Sequence, residues 1–246
     1  MIWVDKLIST EAIYPDTSNE NRNEAKKRFD ELIDHYSKTL TQGIKIEYKL
    51  RKGKIYHEVD TLAKTLGASM IVAGAHGNSG YEEFWIGSNA FKIVTYASYP
   101  IITIRNDYPV HDGIDKILVP IDSSLETLQK LPIIAKFATL FNSEVHLVAT
   151  HGTHLKSVQK IAMKYAERAE HYLQKNNVNS STDEIVSNDI TKAVIAYATQ
   201  LNVDLIGIMT EKETPANILL GPHAQQLINQ SPIPVLSLHP QEHFCL

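Results

Sequence analysis

Short apolar runs alternate with longer amphipathic stretches along this chain, and the second half shows the order most plainly. Ile114–Ile121 is a β-type run ended by Asp122-Ser123-Ser124, which offers caps to a following helix. Leu125–Phe141 carries apolar residues at Leu128, Leu131, Ile134, Ala135 and Ala138, close to a helical period. Glu144–Thr150 reads as a short apolar strand. Lys156–Lys175 reads as a long amphipathic helix with Val158, Ile161, Ala162, Tyr165 and Ala169 along one stripe. Thr182–Val186 is a further strand, and Asp189–Asn202 a helix capped by Asp189. Strands that look buried, alternating with helices, predict a parallel sheet covered on both faces.

Part of this pattern occurs twice. Ser69–Ala75, a loop, a helical stretch to about Ala97 and Tyr99–Arg105 match Val203–Met209, a loop, a helical stretch to about Asn229 and Pro232–His239. Ile71 falls on Ile206 at an offset of 135, and Pro100 on Pro234 at 134. Strand, helix and strand repeat together, which predicts two related domains in tandem. The turn-rich stretch Asn106–Gly113 reads as the linker, giving a first domain over residues 1–112 and a second over 113–246. In the first half Ile2–Ile8 resembles the second strand of the pattern, Asn19–Thr41 the long helix, Ile44–Leu50 the next strand and Tyr56–Leu66 the next helix. Nothing there corresponds to Ile114–Phe141, so the first domain is expected to lack its first strand and first helix.

Composition narrows the function. The 246 residues carry 24 basic and 28 acidic side chains, a formal net charge of −4, without the concentrated basic excess of a nucleic-acid binder. The clusters Lys26–Arg28 and Arg51–Lys54 are small and read as solvated faces. The single cysteine, Cys245, excludes an internal disulfide and any multi-cysteine metal cluster. Apolar runs such as Met70–Ala75 fall far below the ~20 residues a membrane helix needs. Met1–Lys6 lacks the basic start and longer apolar run of a signal peptide. The expectation is a cytoplasmic protein without nucleic-acid or membrane partners.

The most informative stretch for chemistry is Gly74–Ser88. Four of the eleven glycines, Gly74, Gly77, Gly80 and Gly87, fall there between a predicted strand and a predicted helix. Glycines permit φ > 0 and let backbone N–H groups approach an anion. Gly87-Ser88-Asn89 then presents a helix N-terminus, where free amides and the dipole favour phosphate. A tight strand-to-helix connection needing no ligand explains the same glycines about equally well.

The spacing Gly74-x2-Gly77-x9-Gly87-Ser88 resembles the nucleotide-binding signature of the universal stress protein family, as do Val72–Gly77 before it and Tyr99–Ile104 after it. The second half resembles the same family through Ile117–Ser123 and Gly221. The resemblance covers nearly the whole chain. It implies α/β architecture, two tandem doubly wound parallel-sheet domains that are Rossmann-like and adenine nucleotide alpha hydrolase-like. Each domain would have five strands in the order 3-2-1-4-5, and the two last strands would pair in a pseudo-dimer. It also implies ATP in some members. By position, ribose and phosphates would fall to Gly74, His76, Gly77, Gly87, Ser88 and Asn89. The adenine contact would fall to Asp122, which stands in the other domain.

The second half departs from the pattern. Met209–Pro215 replaces the glycine loop, and Gly221-Pro222 replaces Gly-Ser. Glu211 and Glu213 would repel phosphate and Pro222 removes an N–H donor, although proline suits a helix start. That half therefore reads as a folding module with a lost site. His239, His243 and Cys245 lack a familiar zinc spacing. His151 and His154 read as an exposed loop, Phe84 and Trp85 as packing aromatics, and Ser79 and Ser123 as turn or cap residues without a catalytic partner. The expected function is a non-enzymatic stress-response protein holding at most one adenine nucleotide, in the first domain. A member acting only through protein contacts and a slow ATPase remain as alternatives. Self-association is expected through the last strands or a swapped N-terminal segment, because an empty central strand position would leave backbone groups unpaired.

Overall fold

The computed structural model describes residues 1–5, 15–41, 43–75, 87–109, 112–152, 155–210 and 221–241. The chain forms two compact units, Met1–Gly67 and Ala68–Leu246. The division falls at Gly67, whereas the repeat suggests a boundary near residue 112.

In the first unit, β1 (Ile2–Asp5) pairs in parallel with β2 (Lys49–Lys52), Ile2 opposite Lys49. Helix α1 (Pro15–Tyr36) and helix α2 (Ile55–Leu66) accompany them. The alternation over Ile44–Leu50 predicts a strand there, but β2 starts only at Lys49. The Met1 amino group donates to the Glu47 carbonyl at 2.6 Å, just ahead of the paired stretch. Tyr48 stacks on Phe29 of α1 with ring centroids 5.0 Å apart. Helix α2 buries Val59, Leu62 and Ala63, and Gly67 ends it at φ 59°, in the left-handed region where glycine is at ease.

The second unit is built on a seven-stranded sheet in the order β3-β4-β9-β8-β5-β6-β7. Its strands are β3 (Ile71–Gly74), β4 (Ile101–Ile104), β5 (Lys116–Ile121), β6 (Glu144–His151), β7 (Ser180–Val186), β8 (Leu205–Met209) and β9 (Val235–Leu238). Neighbours run parallel except β4 and β9, which are antiparallel with Ile102 opposite Leu236. The last strands of the two repeats thus pair within the chain, as expected. Among the described residues, β3 has a strand neighbour only in β4.

Helices α3 (Ser88–Tyr96), α4 (Leu131–Phe141), α5 (Lys156–Lys175), α6 (Ile190–Gln200) and α7 (Pro222–Gln230) complete this unit. The helix expected over Leu125–Phe141 divides, with a 3-10 segment at Leu125–Lys130 before α4. Pro132 is the cause: it has no N–H, and its ring would clash with the Leu128 carbonyl in a continuous α-helix. The Asp122 cap also differs. Its Oδ1 accepts from the Ser124 amide at 2.7 Å, closing an Asx turn. The buried stripe of α5 is Ala162, Ala166, Ala169 and Leu173, while Ile161 is exposed. Ile117, Leu118, Val119 and Ile121 of β5 are fully buried at the centre. Asp189 caps α6 as expected, accepting from the Lys192 amide at 3.1 Å.

Candidate functional site

Two places where strands hand over to helices carry candidate chemistry, both in the second unit. The first is the glycine turn. Gly74 is the exposed last residue of β3 and lies opposite Ile104. Gly87 precedes α3, and its amide donates to the Ala75 carbonyl at 2.7 Å. That bond brings the end of β3 to the start of α3, so Gly74, Gly87, Ser88 and Asn89 share one corner. Ser88 is exposed, Asn89 is half-buried, no side chain caps the helix and its first turn has no acid. Such a terminus keeps amide donors and positive dipole free of competing carboxylates. Gly87 sits at φ −57°, where any residue is comfortable, so close approach rather than a special backbone angle is what glycine offers there. His76 and Gly77 lie outside the described residues.

The second place is a cavity of about 260 Å3 among the carboxyl ends of β5, β6 and β8. The chain leaves β5 toward β6 on one side, and returns to β8 on the other. Doubly wound sheets form their ligand crevice at such a switch point. Asp122, Lys130, His151, Gly152, Thr191 and His223 stand on its wall. Lys130 is only 2% exposed. Its ammonium donates to Thr127 Oγ1 at 3.0 Å, and the same oxygen accepts from the Asp122 amide at 3.2 Å. Burial pushes the Lys130 ammonium down to about 8, against the pull of the nearby Asp122 carboxylate. His151 is buried, and its Nε2 lies 2.7 Å from Glu184 Oε1.

Sequence reasoning placed Asp122 at this end of the sheet but missed Lys130 and His151. A lysine at a position that the helical period turns inward, three residues after an inward Thr127, was the available signal. His151 was read as exposed because two glycine- and histidine-rich turns look alike from composition alone. Residues 211–220, where glutamates replace the glycine loop, lie outside the described residues, as does His154. His239 bonds through both ring nitrogens, to Thr210 Oγ1 at 2.7 Å and the Val94 carbonyl at 2.8 Å. His243 and Cys245 lie outside the described residues. Among the described residues no three metal-ligating side chains gather, and no helix is long and apolar enough to cross a membrane.

The universal stress protein family model matches residues 6–105 and 113–239, two tandem segments over most of the chain. Universal stress protein YxiE of Bacillus subtilis (strain 168) is 32% identical over 88 residues, covering 35% of this chain and 60% of that protein. Universal stress protein G of Shigella flexneri is 29% identical over 84 residues, covering 34% of this chain and 56% of that protein. The chain thus spans less than two thirds of the length of these curated relatives. A universal stress protein from Archaeoglobus fulgidus DSM 4304 superposes with a TM-score of 0.74 at 20% identity, covering 97% of this chain and 86% of that one, a likeness of fold. With both halves matched and the fold shared, the chain belongs to the universal stress protein family.

Proposed function

We propose that this protein is a non-enzymatic stress-response protein that binds one adenine nucleotide, ATP in the first instance, at the glycine turn of its first half. The observation that carries the reading is the bond from the Gly87 amide to the Ala75 carbonyl, which sets an uncapped, acid-free helix start beside the end of β3. The donor set suits a phosphate chain: backbone amides at Ser88 and Asn89 together with the Ser88 hydroxyl. Gly74, His76 and Gly77 complete the turn in this reading. The nucleotide is held without turnover, in the cytoplasm, with no nucleic acid involved. The 1–112 and 113–246 division remains the domain scheme of this proposal, because it follows the two family matches.

Native mass spectrometry of the purified full chain tests it. An adduct of one adenine nucleotide per chain is expected, reduced when Ser88 is replaced by Ala. No adduct, even after incubation with ATP and Mg2+, would overturn the reading. A second reading, action through protein contacts without a nucleotide, draws support from the β3 edge beyond β4, to which no described strand pairs. Self-association at that edge belongs to it.

A further inference from the structure

The cavity at the switch point of the second half has a chemistry of its own. Its wall carries a cation and an anion that do not form a contact ion pair. The Lys130 side chain is buried, and an ammonium has three donors. One is engaged by Thr127 Oγ1, whose two acceptor positions are then spent on Lys130 and the Asp122 amide. Buried charges in proteins are normally paired or fully hydrogen-bonded. Asp122, the nearest carboxylate in charge terms, commits Oδ1 to the Ser124 amide and hydroxyl at 2.7 and 2.5 Å. Oδ2 remains available. Between and around these groups the wall is aliphatic, with Val158, Val194, Ile208 and Leu227.

A phosphate chain suits this place poorly. The cavity is smaller than the several hundred Å3 common for larger ligands, and Asp122 stands on its wall. His151 is already bound to Glu184, and His223 lies close enough to Asp189 to act on its carboxylate, so each stands beside an acid of its own. What the groups match is a small molecule with a carboxylate at one end, a hydrogen-bond donor next to it and a short apolar body.

We infer that the second half binds a small organic acid bearing an α-hydroxy or α-amino group, its carboxylate on Lys130, its α-donor on Asp122 Oδ2 and its side chain against the aliphatic wall. This site is separate from the nucleotide turn proposed for the first half, and neither depends on the other. The carboxylate supplies the acceptors that the buried ammonium lacks, and the donor answers the free oxygen of Asp122. A plain carboxylate satisfies the first requirement only.

Calorimetric titration of the full chain with 2-hydroxyisovalerate, L-valine and isovalerate tests this, with ATP and Mg2+ in a separate titration. An acid with the α-donor is expected to bind, and Lys130→Met to weaken it by at least about tenfold, since a charge-assisted hydrogen bond is lost. Asp122→Asn is expected to narrow the gap between 2-hydroxyisovalerate and isovalerate. In the unaltered chain the backbone amide resonances of Asp122 and Thr127 should shift during the titration, a readout that does not depend on any variant folding. Absence of binding by both substituted acids up to about 10 mM would overturn the inference. So would equal affinity in Lys130→Met, or ATP rather than the acids shifting those two amides.

Discussion

Lys130 shows how one side chain can set a pH dependence. Its ammonium titrates at about 8 in the folded chain against an ordinary 10.5, so the unfolded chain holds that proton more tightly. Below pH 8 both states are protonated, and the full burial cost, about 3 kcal/mol, weighs on the fold. Between pH 8 and 10.5 the folded lysine is neutral while the unfolded one is charged, so this contribution makes stability rise with pH. Tyr197, hydrogen-bonded to Asp183, is pushed up to about 12 by burial and that carboxylate, and its contribution falls away above pH 10. Denaturant unfolding between pH 7 and 9.5 should therefore show a rising Lys130 contribution that Lys130→Met removes. Lys130→Met should also be the more stable protein at pH 7, because an apolar side chain of similar volume replaces a poorly paired buried charge. A flat difference between the two proteins across that range would contradict the assignment. Nothing in the sequence announces this lysine except its inward place in the helical period, a weak signal because lysines often reach past a buried stem to solvent.

At the scale of elements, the sheet and helices of the second half were largely legible because periodicity reports burial directly, and β5 and β6 at the centre are almost wholly buried. Where the reading missed, a specific competing contact won. Pro132 breaks the expected helix, and β2 pairs with β1 only from Lys49 onward. In the glycine turn the spacing leaves open what each glycine is for. Gly87 keeps an ordinary backbone angle, while Gly221, the corresponding residue of the second half, sits at φ 77° and needs to be glycine. Gly207 in β8 has a packing role that the sequence could not reveal. A Cβ there would meet Ile134 Cδ1 of α4 at 2.5 Å, with Ile134 fully buried. Gly207→Ala should therefore destabilise the chain by about 1–2 kcal/mol, toward the low end of overpacking costs because the facing atom is the tip of a side chain. Chemical denaturation checks this; an unchanged or raised midpoint would mean that α4 does not lie close on β8.

The whole molecule carries one pattern through two unequal copies. The second copy supplies five strands of one sheet, and β4 and β3 of the first extend it through the antiparallel β4–β9 seam. The remaining strands of the first copy, β1 and β2, form a separate pair. Repeat and seam were both foreseeable, because proline at strand starts left Ile101–Arg105 and Val235–Leu238 free to pair. The assignment of chemistry to the copies follows from local sequence: glycines and an uncapped helix start in one, Pro222 and a buried lysine in the other. Calorimetric titration of the full chain with ATP and Mg2+ tests that assignment most directly. One site per chain is predicted, lost in Gly87→Val, whose branched Cβ stands where the anion must approach, and kept in Asp122→Ala. Two sites per chain, or binding lost in Asp122→Ala and kept in Gly87→Val, would contradict it.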